Sequence, residues 1–521
     1  MATPAPVVIS LARGLQTGGV TSWALRTAEV LAARGRPVCI ILHREDSGAE
    51  RLHPGLTDGG SSLIRFIDLS SAPPLASASG DLSPYLTAYR DVVRTLLAQA
   101  LKPVLYIPTL LGDSFGLGAA LSIADPESIR IIGWQHSPIP YDATVLARYE
   151  PVISGFVAVS DQIAATLRTA HPLRTPDIRT IYNGVPVPAA CPPRPPAKDR
   201  PLTLIYAGRM ENDLKRVTSL IAVSDALRQR GIDHRLTLVG DGPAAGDIDA
   251  LIADPARRSR LRRLRPVAPD GVQRLLAEHD LFLLPSRVEG LSLSATEALA
   301  AGCVPILAAT PSGSTTIVDH GATGLLVPLD PAAPDDQIAR AFADAVEHAV
   351  TLGLPSLSKA AHARARRLFS LDAYGDALEH ALDAAESSRP RRWPTDRPCA
   401  FSAVGATASG SGAVPPDGPA RLRELLDRLT GRQVIIHGTG RHTLELAAVF
   451  AASPARIVAF TDDDPARHGR TLWNWPIIAP SAASRTGATD VVISSWMNQD
   501  QIWARRDVYE QQGLSLHRLY V

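Results

Sequence analysis

The order in which apolar runs and helical patterns alternate constrains the fold of this 521-residue chain more than any other feature. The apolar run Val7–Ala12 is typical of a buried parallel strand, which helices cover on both faces. A glycine-bearing loop at 14–19 follows, then a helical pattern over Ser22–Arg34 and a second apolar run over Val38–Leu42. Strand, loop, helix and strand in this order form a βαβ unit, which predicts an α/β fold with a parallel sheet.

The same alternation recurs in two further regions, and stretches of different composition separate the three. The proline-rich stretch 186–201 is poor helix and poor strand, which favours a hinge. From 387 to 419 the chain is rich in Pro, Arg, Ser, Gly and Ala without periodicity, as flexible linkers are. We therefore expect four segments: a Rossmann-like domain at 1–195, a second at 196–388, a flexible linker at 389–420 and a small Rossmann-like domain at 421–521.

Composition excludes several classes of protein. The formal net charge is +1, so no nucleic acid or other polyanion is expected as a partner. The four cysteines are scattered without a C-x-x-C pair, which argues against structural zinc and fits a reducing compartment. The first residues lack a signal-peptide pattern, and no apolar run approaches the ~20 residues of a membrane span. We expect a cytoplasmic protein, with peripheral membrane contact and oligomerisation left open.

Two glutamates on a strand–loop–helix turn are the first candidate functional residues. The apolar run Leu281–Leu284 ends at Pro285, and a helix is expected to begin near Ser294, a good N-cap. Ligands of open parallel sheets bind at the carboxyl ends of strands, where the N–H groups of helix N-termini attract phosphate. Glu289 in the loop and Glu297 in the first helical turns could each accept hydrogen bonds from a sugar diol. The alternative is that both are solvated surface charges.

Two cations follow another predicted strand. Arg209 follows Leu202–Ala207 after one glycine, and Lys215 lies six residues later, at the expected start of a helix. Lysine is rare in this chain, so its occurrence here is informative. Two cations at a strand end suit a diphosphate; the alternative is an exposed basic loop.

These residues belong to a series of short motifs in a fixed order. The motifs are Gly18-Gly19, Trp134-Gln135-His136, Tyr182-Asn183-Gly184-Val185, G-R-x5-K with Arg209 and Lys215, V-G-D-G-P at 239–243, P-S-x-x-E-G-x6-E-A at 285–298 and G-A-T-G-L-L-V-P at 321–328. Together they resemble the group 1 glycosyltransferases, family 4 of the GT-B fold, over about residues 6 to 385. The resemblance implies two Rossmann-like domains facing a cleft, with the nucleotide mainly on the second and the acceptor mainly on the first.

The resemblance also implies a reaction and a role for each matching residue. It implies a hexosyltransferase that uses a nucleotide-diphosphate sugar, retains anomeric configuration and needs neither metal nor other cofactor. Its acceptor would be a glycan, lipid or small molecule in polysaccharide or glycoconjugate biosynthesis. Arg209 and Lys215 would neutralise the diphosphate, Glu289 and His136 would contact the transferred sugar, and Glu297 would hold the ribose. The remaining donor-binding positions would be Gly18, Gly19, Gly290, Leu291 and Ser292.

Three positions depart from the family pattern. The loop after Glu289 reads G-L-S-L-S where G-F-G-L-P is common, Arg216 follows Lys215 where glycine is usual, and Thr316 stands in place of a glutamate. These departures leave two alternatives open. One is a catalytically degenerate sugar-nucleotide-binding or scaffold protein, and the other is a different GT-B reaction such as sugar-nucleotide epimerisation.

The third region contains an approximate dinucleotide fingerprint. Gly438 and Gly440 follow the apolar run Val434–His437, and Asp462 ends the next predicted strand, although Thr443 occupies the place of the third glycine. The region resembles small nucleotide- or CoA-binding domains attached to some polysaccharide-biosynthesis proteins. Two interpretations stay open: a regulatory or accessory module that binds an unidentified nucleotide, and a structural or oligomerising domain.

Overall fold

The structure, a computed structural model, falls into two compact units. Unit 1 comprises residues 1–75, 83–109 and 117–397, and unit 2 comprises residues 76–82, 110–116 and 398–521. The described residues are 4–12, 18–44, 61–75, 81–109, 111–196, 200–309, 313–330, 333–401 and 418–520 without 441, 444, 445, 465, 466, 470, 474 and 496–498.

The first domain of unit 1 is built on a parallel sheet. Its described strands lie in the order β3-β2-β1-β4-β5-β6-β7. The strands are β1 Val7–Leu11, β2 Val38–His43, β3 Ile64–Leu69, β4 Val104–Pro108, β5 Ile129–Gln135, β6 Ile153–Ala158 and β7 Ile178–Thr180. The helices are α1 Gly19–Ala33, α2 Ser83–Ala100, α3 Gly112–Ala124, α4 Pro140–Tyr149 and α5 Asp161–Ala170; residues 112–116 of α3 belong to unit 2. Strands β1, β2 and β4 are fully buried, which explains the continuous apolar runs at these positions.

The second domain of unit 1 repeats this plan. Its described strands lie in the order β10-β9-β8-β11-β12-β13. The strands are β8 Leu202–Ala207, β9 His234–Val239, β10 Leu261–Leu264, β11 Leu281–Leu284, β12 Val304–Ala308 and β13 Leu325–Val327. The helices are α6 Ser219–Gln229, α7 Ala245–Ile252, α8 Pro255–Arg258, α9 Pro269–Glu278, α10 Leu293–Ala300, α11 Ser314–Ile317, α12 Asp335–Leu352, α13 Leu354–Leu368 and α14 Leu371–Glu386.

Unit 2 contains a third sheet, whose described strands lie in the order β16-β17-β15-β14-β18-β19. The strands are β14 Gln433–His437, β15 Arg456–Thr461, β16 Thr471–Leu472, β17 Trp475–Ile478, β18 Asp490–Ile493 and β19 Ser515–His517. The helices are α15 Gly418–Arg428, α16 Ala447–Ala451, α17 Gln499–Ala504 and α18 Asp507–Glu510. Each face of this sheet has its own apolar core, so unit 2 is a three-layer α/β domain.

The predicted α/β fold class is confirmed, with two doubly wound parallel sheets and a smaller third one. In each sheet of unit 1 the chain starts in the middle, at β1 or β8, builds one edge, and then crosses to build the other. The loops on either side of this switch, after β1 and β4 or after β8 and β11, diverge and leave a crevice at the strand ends.

Helix α14 lies on the first domain, although the sequence assigned residues 196–388 to the second. It packs against β5 and β6. Arg34 Nη1 lies 2.8 Å from Asp376 Oδ1, and Arg36 Nη2 lies 2.7 Å from Asp383 Oδ1. Burial of one helix face and these ion pairs therefore return the chain to the first domain after the second sheet is complete.

The start of the predicted linker is packed. Trp393 is fully buried, with its ring centroid 5.1 Å from that of Tyr149, and its backbone N–H donates to Ser122 Oγ at 3.0 Å. A large aromatic side chain buried in an apolar site anchors this segment, although its composition alone predicts a flexible linker. Residues 402–417 of the linker lie outside the described residues.

Candidate functional site

The loop after β8 carries the two predicted cations. Arg209 is exposed, with Nε 3.4 Å from Glu211 Oε2. The main chain of this loop is fixed, because the Tyr206 hydroxyl donates to the Arg209 carbonyl at 2.7 Å and Met210 N–H donates to the Asp241 carbonyl at 2.8 Å. Arg209 therefore presents its guanidinium to solvent from a rigid loop at the carboxyl edge of the sheet.

The V-G-D-G-P turn explains this rigidity. Gly240 and Gly242 have φ of +142° and +151°, which L side chains rarely adopt. A Cβ on Gly240 would lie 1.9 Å from the Gly208 carbonyl oxygen, and a Cβ on Gly242 would lie 2.5 Å from the Met210 carbonyl oxygen. The two glycines let the turn pack directly against the loop that carries Arg209, so this motif holds the backbone of that loop in place.

Lys215 and Glu289 meet between neighbouring strands. Because β8 and β11 pair in parallel, their carboxyl-terminal loops leave the sheet side by side, and Arg287 N–H donates to the Leu214 carbonyl at 2.8 Å. Lys215 Nζ lies 2.5 Å from Glu289 Oε1, with side-chain exposures of 24% and 12%. A largely buried charge needs a partner, and each of these groups neutralises the other. The predicted phosphate cation and the predicted sugar acid thus form one ion pair.

Gly290 lies where the two domains of unit 1 touch. A Cβ on Gly290 would lie 1.7 Å from the His136 carbonyl oxygen, and a Cβ on Gly313 would lie 2.1 Å from the Gly290 carbonyl oxygen. Gly313 N–H also donates to the Glu289 carbonyl at 3.1 Å. Backbone from both domains therefore closes around position 290 so tightly that only glycine fits.

The helix after this loop begins earlier than expected. Ser292, not Ser294, is the N-cap of α10: its Oγ accepts from Ala295 N–H at 3.3 Å. The sequence offered two serines of equal capping chemistry, and the extended backbone at Ser292 selects the first. Since the Ser292 hydroxyl is used by the helix and Leu291 is buried, these two predicted positions offer a ligand mainly their backbone.

Helix α1 begins at the predicted glycine pair. Gly18 is its N-cap, and no described side chain caps the first turn. A Cβ on Gly19 would lie 4.0 Å from Leu293 Cδ1, so the first residues of α1 and α10 adjoin. The unpaired N–H groups of helix N-termini attract anions. Residues 13–17 of the predicted loop lie outside the described residues.

Glu297 is bound by a residue that the sequence did not single out. Arg26 of α1 donates from Nη2 to Glu297 Oε1 at 3.0 Å and from Nη1 to the Gly184 carbonyl at 3.0 Å. Burial raises the pKa of Glu297 above its usual value, and the charge and hydrogen bond of Arg26 lower it in part. No local signal marks Arg26, because an arginine on a helix is ordinarily a solvated surface residue.

His136 follows β5 and lies against two tryptophans. Its ring centroid is 4.4 Å from that of Trp23 and 6.1 Å from that of Trp134. Desolvation lowers the pKa of His136 to about 3, so the imidazole is neutral near pH 7. Its Nε2 has no hydrogen-bond partner among the described residues. His136 can therefore contribute a hydrogen bond but no charge.

Thr316, which replaces the usual glutamate, is buried and contacts the first domain. Its Oγ1 accepts from Asp161 N–H at 3.3 Å and donates to Asp161 Oδ2 at 3.4 Å. The Tyr182 hydroxyl donates to the same carboxylate at 2.8 Å. A glutamate at 316 would place a second carboxylate beside Asp161, and like charges at this distance repel. Thr316 and Asp161 are therefore a matched pair.

In unit 2, Asp462 is committed to the glycine turn itself. Its Oδ2 accepts from Thr439 N–H at 3.0 Å and lies 3.2 Å from Arg467 Nη1. A Cβ on Gly438, whose φ is +113°, would lie 2.7 Å from the Ser494 carbonyl oxygen, whereas one on Gly440 would meet nothing within 4 Å. Asp462 thus stabilises the turn, and a ribose diol would have to displace Thr439 to reach it.

Two further findings concern the described residues as a whole. None of their helices is long and apolar enough to cross a membrane. No three of their His, Cys, Asp or Glu side chains are grouped so as to hold a metal ion.

The family model "Glycosyl transferases group 1" matches residues 201–350, which include Arg209, Lys215, Glu289 and Glu297. An alpha-D-kanosaminyltransferase of Streptomyces kanamyceticus is 31% identical over 130 residues, which are 25% of this chain and 33% of that protein. A D-inositol 3-phosphate glycosyltransferase of Nocardioides sp. is 24% identical over 418 residues, 72% of this chain and 82% of that protein. The chain thus spans only a third of the length of the Streptomyces relative.

Solved structures match about three quarters of the chain. Sucrose-phosphate synthase from Thermosynechococcus elongatus aligns with a TM-score of 0.57 at 20% identity, covering 73% of this chain and all of that chain. HepE of Anabaena in complex with UDP aligns with a TM-score of 0.53 at 16% identity over 73% of this chain and all of that chain. Unit 1 therefore has the GT-B fold, and residues 201–350 within it match the model of the group 1 glycosyltransferase family.

Proposed function

We propose that the chain is a retaining glycosyltransferase that moves a hexose from a nucleotide-diphosphate sugar to an acceptor hydroxyl. The observation that carries the proposal is the 2.5 Å pair between Lys215 and Glu289, formed where β8 and β11 end. A lysine and a carboxylate at this edge supply a cation for phosphate and an acceptor for sugar hydroxyls. The family match of residues 201–350 supports the same assignment.

Two kinds of positive potential favour a diphosphate at this edge. Arg209 and Lys215 carry full charges, and the adjoining N-termini of α1 and α10 add uncapped or partly capped N–H groups. A diphosphate bound there would take Lys215 from Glu289, and the carboxylate would then turn to the sugar hydroxyls. The exchange leaves no buried charge without a partner.

The reaction exchanges one C1–O bond for another at the anomeric carbon. The C1–O bond to the diphosphate breaks, the C1–O bond to the acceptor forms on the same face of the sugar, and the acceptor proton leaves with the diphosphate. Negative charge grows on the leaving diphosphate, so preorganised cations such as Lys215 stabilise the transition state. Neutral His136 contributes a hydrogen bond to the sugar without adding to this charge.

The acceptor would bind on the first domain, in the cytoplasm. Its class is a glycan, lipid or small molecule of polysaccharide or glycoconjugate biosynthesis. D-inositol 3-phosphate, named in the relative that covers 72% of this chain, is the first acceptor to test.

Donor hydrolysis tests the proposal without knowledge of the acceptor. Purified protein is incubated with UDP- and GDP-hexoses, and released nucleotide and sugar are measured, with proton NMR to identify the first-formed anomer. We expect slow hydrolysis with retained configuration, resistant to EDTA, and a loss of about 10²–10³-fold in Lys215→Ala. Lys359→Ala changes an exposed lysine of α13 and is the matched control. Full activity of Lys215→Ala, or a strict metal requirement, would contradict the proposal.

A second candidate function is sugar-nucleotide binding without turnover, which Thr316 suggests. The side chain of Thr316 bonds to Asp161 and takes no part in the Lys215–Glu289 pair. Because the residues proposed to act on the donor are intact, we favour turnover over binding alone. Calorimetric binding of a donor together with no turnover across a full donor and acceptor panel would support the binding protein instead. Labelled donor that yields an epimer without acceptor would indicate epimerisation.

A further inference from the structure

Arg26 joins the first domain to the carboxylate proposed to bind ribose. It lies two turns into α1, and Glu297 lies just over one turn into α10, while the first residues of these helices, Gly19 and Leu293, adjoin. The Arg26–Glu297 contact therefore lies beside the point where both helix N-termini meet. Side-chain exposures of 15% and 16% show that water screens this ion pair only in part.

The guanidinium is anchored independently of Glu297. Its Nη1 donates to the Gly184 carbonyl at 3.0 Å. Gly184 is fixed in turn, because a Cβ there would lie 2.6 Å from Tyr374 Cβ, and the Tyr374 hydroxyl lies 2.6 Å from Thr27 Oγ1 on the same helix as Arg26. Arg26 is therefore expected to stay in place when a ligand contacts Glu297.

Arg26 is also the charge that controls Glu297. Burial favours the neutral acid and raises the pKa of Glu297, and among the described groups only Arg26 acts in the opposite direction. Helices α9 and α13 and strands β11 and β12 also pack against α10, yet no charged group on them contributes. His136, across the cleft, is neutral near pH 7, and burial raises the pKa of the Tyr374 phenol, which is also neutral.

We propose that Arg26 is a positioning residue for the nucleotide: it favours the charged form of Glu297 and engages one of its oxygens, so that the other accepts hydrogen bonds from the ribose diol. This inference rests on the proposed function. Glu297 Oε1 accepts from Arg26, and Oε2 accepts from no described residue. A carboxylate accepts hydrogen bonds from both ribose hydroxyls, whereas a protonated acid also donates one and loses this complementarity.

The test measures nucleotide affinity against pH. UDP and GDP are titrated calorimetrically into the full-length protein between pH 5.5 and 8.5. An opposite charge within ~4–6 Å lowers a carboxyl pKa by about 1–3 units, so the loss of the Arg26 charge in Arg26→Gln should raise the pKa of Glu297 further above its usual value. We expect a Kd raised about tenfold or more at pH 7, a defect that shrinks towards pH 8.5, and substantial rescue by Arg26→Lys.

Matched variants separate positioning from packing. Arg34→Gln removes an arginine at the end of the same helix that pairs with Asp376 and Glu379, and its nucleotide affinity should match wild type at every pH. In a Glu297→Gln background, which cannot ionise, adding Arg26→Gln should not change the pH profile of the affinity. This pair of variants keeps the test decisive if Arg26→Gln alone unfolds.

The outcomes distinguish two failures. If the wild type binds neither UDP nor GDP, the proposed function fails and the inference about Arg26 fails with it. If the wild type binds and Arg26→Gln shows an unchanged Kd, or a defect that does not vary with pH, only the inference about Arg26 is overturned.

Discussion

Replacing Gly290 by alanine tests the contact between the two domains of unit 1. The added Cβ would lie 1.7 Å from the His136 carbonyl oxygen, whereas real contacts of this kind are at least 3.0 Å long, so the two backbones must separate by about 3.0 − 1.7 = 1.3 Å. A misplacement of about 1 Å in an active site can cost 10²-fold in rate. Since Glu289 precedes this glycine and His136 supplies the oxygen, we expect kcat for donor hydrolysis to fall about 10²-fold.

The assay compares kcat, KM and thermal stability of Gly290→Ala with those of Gly246→Ala. A Cβ on Gly246, in α7, would meet nothing within 4 Å, and alanine in a helix stabilises by up to about 1 kcal/mol. The control should therefore keep full activity. Wild-type kcat in Gly290→Ala would show that the close approach of His136 has no part in turnover, and the reasoning would be refuted.

Three further predictions concern stability. Gly240→Ala would force alanine to φ +142° and place its Cβ 1.9 Å from the Gly208 carbonyl oxygen. The free energy of unfolding, measured by urea denaturation, should therefore fall by at least about 1–3 kcal/mol. The pKa of His136 is lowered to about 3, so the unfolded state binds more protons below its pKa of ~6.5, and stability should fall as pH decreases from there towards 3. At pH 5.5 the free energy of unfolding should be lower by about 1 kcal/mol through His136, and this contribution should be absent in His136→Asn. A pH profile of stability identical to that of the wild type in this variant would contradict the lowered pKa. Thr316→Glu should lower the melting temperature through repulsion by Asp161, and Asp161→Asn should restore it; additive effects in the double variant would refute the pairing.

The loops at the strand ends could be found in the sequence because their chemistry is local. Lys215 and Glu289 each belong to a short motif with a fixed position after a strand, and a parallel sheet brings such loops to one edge. Their ion pair follows from topology once β8 and β11 are neighbours. The same reasoning placed Gly18 and Gly19 in a loop before a helix predicted to begin at Ser22, whereas α1 begins at Gly19 with Gly18 as its N-cap.

Elements with weak periodicity were harder to find. The sequence did not predict the strands β3 and β10, because these edge strands lack a continuous apolar run. The path of α14 back to the first domain depends on ion pairs such as Arg36–Asp383, whose partners lie far apart in the chain. The role of Trp393 likewise becomes visible only in the structure, where its side chain is fully buried.

Contacts made across the cleft explain what the motifs could not reveal. Arg26, Asp161 and the His136 carbonyl all come from the first domain, and each meets a residue of the second domain: Glu297, Thr316 or Gly290. Their importance depends on the partner rather than on residue type, so a helical arginine or a backbone oxygen carries no signature. It follows that the departures at 290–294 and 316 should be judged together with these partners: Thr316 stands where the family pattern has a glutamate and lies against Asp161, so this contact contains one carboxylate and not two.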